Sequence, residues 1–211
     1  ETSLMPRINA RLSARDTVIL RATLLGAQSA SRLLADSAGL SAAGTVLGGQ
    51  VAEIGDSDRS LHQLRADWTH RFDRSRMEAR LSGERTRETI GRDRLSNSVS
   101  GGVPTLTETL FADRRRERSL QASVKLTGTE GSHVWMGGAE LELRRLDVGN
   151  DVTVVGEPLQ ARRYECSLER RVIWAQNEWG LPGRTTLTAG LRVESLVRES
   201  RYDGLEQSES H

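Results

Sequence analysis

Apolar and polar residues alternate with a period of two in eight separate runs of this chain, and that period belongs to strands with two chemically different faces. Ile8, Ala10 and Leu12 alternate with Arg7, Asn9 and Arg11; Val18, Leu20, Ala22 and Leu24 alternate with Thr17, Arg21 and Thr23. Leu64, Ala66, Trp68 and Phe72 oppose Gln63, Arg65, Asp67, Thr69 and Arg71, with His70 as the polar intruder on the apolar side. Met77 to Gly83, Leu120 to Leu126, Trp135 to Leu143 and Leu187 to Val193 repeat the pattern. One further run, about 163–179, sets Tyr164, Cys166, Leu168, Val172 and Trp174 against Glu165, Ser167, Glu169 and Arg171. It then loses phase near Ile173 to Asn177, where a bulge is expected.

The connections are sorted. Short turns fall at 13–16, 73–75, 128–132 and 180–183, and between them lie long stretches rich in Gly, Ser and charge at 28–60, 86–118 and 147–161. Strict short-long succession has no cause in a soluble meander. A barrel that crosses an outer membrane has tight turns on one side and long loops on the other. Trp68, Phe72, Trp135 and Trp179 lie within a few residues of short turns, with Trp174 not far behind, as an interfacial aromatic girdle would. Taken singly, each is as well explained as a core aromatic.

Composition agrees without deciding. The longest apolar stretch, Thr17 to Leu25, is interrupted by Arg21, far short of the roughly 20 apolar residues of a spanning helix. Strands of about 9–11 residues suffice for a barrel, and their alternation averages out in mean hydropathy. The 30 basic and 29 acidic residues are interspersed, giving a net charge of +1 and no footprint for nucleic acid. The lone Cys166 forbids an internal disulfide and reads as a small lipid-facing residue. The opening residues ETSLMPRINA lack a secretory signal, so the chain reads as an excised piece of a longer one.

The segment RRVIWAQNEWGLPGRTTLTAGLRVES, Arg170 to Ser195, resembles a hairpin of TonB-dependent receptors, with Trp174, Ala175, Gln176, Glu178 and Trp179 on one strand and Leu187, Thr188, Gly190, Arg192 and Glu194 on the next. Ser119 to Asp147, with Gly138, Ala139 and Glu140, resembles a second strand pair of the same family. The resemblance implies uptake of a scarce solute such as a metal chelate, a siderophore being the usual kind, through a plugged barrel of about 22 strands coupled to the TonB complex. The chain departs from that pattern in lacking a plug domain, a TonB-contacting box and a terminal aromatic strand, and its aromatic content is only 4%.

The expectation is therefore an all-β, antiparallel up-and-down meander of about eight long strands, part of a transmembrane β-barrel in a bacterial outer membrane. It forms a single segment over 1–211 with four hairpins, about 4–28, 60–86, 118–147 and 162–200. The partners expected are outer-membrane lipid and lipopolysaccharide, a plug and TonB complex through parts outside this chain, and a transported small molecule. Two alternatives stand beside it: a complete eight-stranded porin or adhesin, and a soluble β-sandwich or ligand-binding barrel.

No phosphate loop, HExxH, CxxC or GxSxG motif is present, and His62, His70, His133 and His211 suggest no ligand set, so no enzyme and no cofactor is expected. A hydrolase built on Asp67 and His70 fails on parity, because the two side chains point to opposite faces. Asp56 with Asp58, and Asp147 with Asp151, have cation-binding chemistry, but a solvated charged loop is the commoner reason for such pairs. The run Arg114 to Arg116 suits lipopolysaccharide phosphates or a solvated strand end. Arg65, Arg80, Glu84, Glu140, Glu142 and Arg192 are expected to line the lumen and to meet a plug or solute; none is assigned as a site.

Overall fold

The computed structural model describes residues 1–40, 46–100, 103–181, 183 and 185–204. These form one antiparallel sheet of nine strands, without helices: β1 (Thr2–Leu4), β2 (Arg7–Arg11), β3 (Asp16–Leu40), β4 (Val46–Arg71), β5 (Ser75–Ser100), β6 (Val103–Glu130), β7 (His133–Val154), β8 (Gln160–Leu181) and β9 (Thr185–Gly204). From β3 onward each strand pairs with the next in sequence, while β1 and β2 both pair with β3. The ninth strand arises because Pro6, which has no N–H for a ladder, separates β1 from β2, although its carbonyl still accepts from Ala22 N–H at 3.1 Å.

The strands are far longer than the alternation alone suggests. β3 to β6 run 25 to 28 residues. Most of the stretches expected as long loops are ladder: β3 and β4 remain paired from Asp16↔His70 to Leu40↔Val46, and β5 and β6 from Ser75↔Gly128 to Ser100↔Val103. Between β7 and β8 only residues 155–159 lie outside the strands. Charged and small residues in these arms break the apolar period but not the pairing, since backbone hydrogen bonds do not depend on side-chain polarity.

The tight turns lie where the sequence places them. Ser13 Oγ accepts N–H bonds from Arg15 and Asp16 at 3.0 Å and donates to Asp16 Oδ2 at 2.6 Å, closing the β2–β3 turn. Gly131 at φ 60° and Gly183 at φ 83° supply the left-handed backbone of the β6–β7 and β8–β9 turns.

Among the described residues the sheet has no second layer, and Val172 is the single buried hydrophobic residue. Its two faces differ. Val172 on the polar face is 1% exposed, while Ile173, one residue on and facing the other way, is 69% exposed. In the part of each strand next to the tight turns, the apolar side chains thus lie on the open side and most of the charged ones on the sheltered side. The sheet does not close on itself among the described residues, since β9 pairs only with β8 and β1 and β2 only with β3.

Candidate functional site

Register settles which residues share a face. One cross-strand row runs Asp16, His70, Met77, Leu126, Gly137 and Ala175. It starts at the first residue of β3, passes one residue before the end of β4, four before the end of β6 and six before the end of β8. Six residues of climb are about 20 Å, across five strand spacings of about 4.8 Å each. If the short turns lie in one plane, the strands tilt about 40° from its normal, within the range of membrane barrels.

The apolar residues follow the turns rather than the rows. On the open face each strand from β3 to β9 carries its apolar set within seven to nine residues that begin near the short turn: Val18 to Leu24, Leu64 to Phe72, Met77 to Gly83, Leu120 to Leu126, Trp135 to Leu143, Ile173 to Trp179 and Leu187 to Val193. Counted from the turns, that is a band of about 10 residues, or about 25 Å at this tilt.

This geometry corrects the expected phase of β8. No bulge interrupts it: pairing with β7 is continuous from Val152↔Gln160 to His133↔Trp179. Trp179, Ala175 and Ile173 share the open face with Ala139 and Leu191, whereas Trp174, Val172, Leu168, Cys166 and Tyr164 lie on the polar side. Trp174 therefore does not belong to the girdle; its ring lies 3.0 Å from where a Cβ on Gly138 would stand. Cys166 is likewise not on the open face, so it is not the lipid-facing residue expected; it is paired with Leu146 and Ser200 and is half-buried. The two segments that carry the family resemblance are neighbours, joined at Gly138↔Trp174 and Glu140↔Val172.

The short-turn edge of the open face carries Trp68, Phe72, Trp135 and Trp179, and two histidines join them. His70 packs edge-on to Phe72 with ring centroids 4.3 Å apart, and His133 packs edge-on to Trp179 at 6.3 Å. Asp16 accepts from His70 Nδ1 at 2.7 Å, Trp68 Nε1 at 3.2 Å and Ser13. These bonds, Ser13 foremost and His70 next, hold the Asp16 carboxyl below its ordinary value. The Ser13 hydroxyl bonds the carboxylate and not the imidazole, so this trio lacks the order of a nucleophilic triad. Asp67 faces the other way, where Arg65 at 2.9 Å and Arg80 at 2.8 Å hold it.

The sheltered face brings the expected lumen residues onto one surface. Arg80 and Arg65 converge on Asp67; Gln63 donates to Glu84 at 3.3 Å. Arg170 links Glu142 at 3.6 Å to Glu194 at 2.6 Å, and Arg192 reaches Glu194 at 3.2 Å. Glu140 lines a recess with Arg80, Gln121, Ser123, Glu142 and Arg170. The linking roles of Arg170 and Glu194 are decided by cross-strand register, which no local spacing encodes. Arg7, Arg21 and Arg65 stand directly across from one another on this face, and the buried Nε of Arg21 has no hydrogen-bond partner. No group of three acidic, His or Cys side chains suited to a metal occurs among the described residues. Asp147 engages Arg145 at 3.3 Å.

Fold and faces define an all-β antiparallel meander with an open apolar band next to its tight turns and a charged surface on the other side of that band. Among solved structures, the chain is similar to the ferric yersiniabactin uptake receptor FyuA from Yersinia pestis, at 8% identity and a TM-score of 0.39, over 95% of this chain and 37% of that one. It is also similar to the ferric citrate transporter FecA in the unliganded form, at 10% identity and a TM-score of 0.35, over 95% and 38%. The chain thus spans under two fifths of the length of these structures. No family model and no curated protein matches it.

Proposed function

We propose that this chain is a sector of the wall of a transmembrane β-barrel in a bacterial outer membrane, and that the barrel is a TonB-dependent transporter for a scarce solute such as a metal chelate. The observation that carries the membrane part is the apolar band: it tracks the tight turns through a stagger of about 40°, has a height of about 25 Å, and among the described residues has no protein layer over it. Lipid is the partner that such a band fits. A soluble sandwich would need a second apolar sheet against it.

In this proposal the sheltered face lines the lumen. Arg65, Arg80, Glu84, Glu140, Glu142 and Arg192, joined by Arg21, Arg170 and Glu194, meet the plug or the passing solute. The long arms of β3 to β8 rise on the outer side and present the recognition surface. Both sheet edges pair with further strands of the same barrel, because an unpaired edge in lipid costs several kcal/mol per backbone group. A closed eight-stranded porin gains no support from a sheet whose end strands do not meet among the described residues. Energy coupling belongs to a plug and a TonB complex outside this chain.

The test is to express the full-length parent protein in a Gram-negative host and examine the outer-membrane fraction. Recovery there as a band whose gel migration shifts on heating supports the barrel. Recovery as a soluble, unshifted protein overturns it. Growth on single chelates as the metal source, with and without the gene, then tests the transport part.

A further inference from the structure

On the open face of β5 to β8 the character of the surface changes at one level. Gly83, Leu120, Leu143 and Ile173 end the apolar band, and two residues further along each strand stands an arginine: Arg85, Arg118, Arg145 and Arg171. Arg87 on β5 and Arg116 and Arg114 on β6 follow on the same face. Register places Arg85 directly across from Arg118, Arg118 across from Arg145, and Arg87 across from Arg116. Directly opposed like charges destabilise a sheet unless a counter-charge sits between them.

The chain supplies little of that charge. Arg145 is bound to Asp147 and Glu165, and Arg171 to Glu169. Among the described residues Arg85, Arg87, Arg114, Arg116 and Arg118 make no ion pair, and all five are exposed. His62 and Ser60 stand across from Arg85 and Arg87 on the β4 side, and Asp147 stands across from Arg116 on the β7 side. Arg87 above all, with desolvation and then Arg118 and Arg116, pushes the Arg85 guanidinium below its ordinary range, as like charges crowded together must. Arg115, the middle of the sequence run 114–116, faces the other way and pairs with Glu117 at 3.3 Å. The run is therefore not the unit; two neighbouring strands are.

We infer that Arg85, Arg87, Arg114, Arg116 and Arg118 form a binding site on the outside of the barrel for the phosphates of an outer-leaflet lipid headgroup, the chemistry lipopolysaccharide presents. The inference rests on the barrel reading, since the apolar band beneath these arginines is what puts them at headgroup level. Guanidinium forks clamp phosphate oxygens in pairs. Acyl chains of the same lipid then lie along Leu120, Ala122, Val124 and Leu81, which continue downward on that face. The opposite edge of the band carries the tryptophans and histidines instead, so the two edges suit different headgroup layers.

The test uses the full-length parent protein purified from the outer membrane in detergent, and a variant carrying R85Q, R116Q and R118Q. A control carries R71Q and R74Q at the short-turn edge. Heat-modifiable migration is measured first for all three; its absence from the unsubstituted protein overturns the barrel and the site together. Binding of purified lipopolysaccharide, of the same glycolipid after enzymatic dephosphorylation, and of inorganic phosphate is then followed by native mass spectrometry. The site predicts retention of the phosphorylated lipid by the unsubstituted protein and the control, and on the order of tenfold or greater weakening both in the triple variant and on dephosphorylation. Equal binding of phosphorylated and dephosphorylated lipid, unchanged binding by the triple variant, or full displacement by millimolar phosphate would each overturn the lipid site while leaving the barrel standing.

Discussion

At the scale of single residues, two positions are fixed by contacts that leave little room for change. The carboxylate of Asp16 receives bonds from Ser13, His70 and Trp68 at the short-turn edge, and its pKa is lowered from the ordinary 3.8. A depressed folded-state value means that the contribution is fully present above 3.8 and is lost as pH falls through the lower folded value. In a variant that keeps Trp68 and carries Phe at Trp135, Trp174, Trp179 and any other tryptophan, emission is expected to hold steady from neutral pH down to that range and to shift only below it. The Asp16→Asn variant should show no such acid transition. A shift already present near neutral pH would overturn the assignment to Asp16. Gly138 is the second position: a Cβ there would stand 2.6 Å from the Val124 carbonyl oxygen, which is backbone and cannot swing away. Gly138→Val is expected to lower stability by about 1–3 kcal/mol in a urea titration of the heat-shifted band. At Gly137, on the other face, the nearest atom is at 3.5 Å, and Gly137→Ala should change little.

At the scale of the strand, parity is the controlling variable. Leu81 sits mid-band on the open face, paired with Ala66 and Ala122, and Ser82 beside it faces the sheltered side, paired with Arg65 and Gln121. Leu81→Arg is expected to cost about 2–4 kcal/mol and to lower recovery in the outer membrane, while Ser82→Arg should insert normally. Equal effects of the two would mean that neither face meets lipid. β8 illustrates how parity is decided. Its residues read as apolar on even positions from Tyr164 to Trp174 and on odd positions from Ile173 to Trp179, so the strand alone fits both phases. The half inside the band sets the register, because Ile173 and Ala175 must lie beside Ala139 and Leu191, and the charges of the outer half then reach the open face beyond the band.

At the scale of the whole molecule, the apolar band takes up less than half of each long strand. β5 has 26 residues, of which about 10 cross the band, leaving an arm that rises on the order of 40 Å above it at the inferred tilt. Those arms are held by their own ladder, with Thr89↔Arg114 as an intermediate rung. Removing residues 89–114 and closing the hairpin with a two-residue turn is expected to leave outer-membrane recovery and heat-modifiable migration unchanged, while abolishing uptake of the cognate solute. Failure of that deletion to insert would show that the arms take part in assembly.

The sequence by itself determined what depends on neighbours along the chain. The period of two, the positions of the tight turns at Ser13, Gly131 and Gly183, the cluster of Trp68, Phe72, Trp135 and Trp179 near them, and the opposite facing of Asp67 and His70 all follow from the pleat and from turn chemistry. The tertiary structure decided what depends on register between strands: the side taken by Trp174 and Cys166, the partnership of Asp16 with His70, the Arg170 link, and the rows of arginine above the band. It also decided that the charged stretches 28–60 and 86–118 are largely ladder and not loop. The reason is that alternation is written residue by residue, whereas a one-residue choice of pairing, made across tens of residues of chain, sends every side chain of a strand to one face or the other.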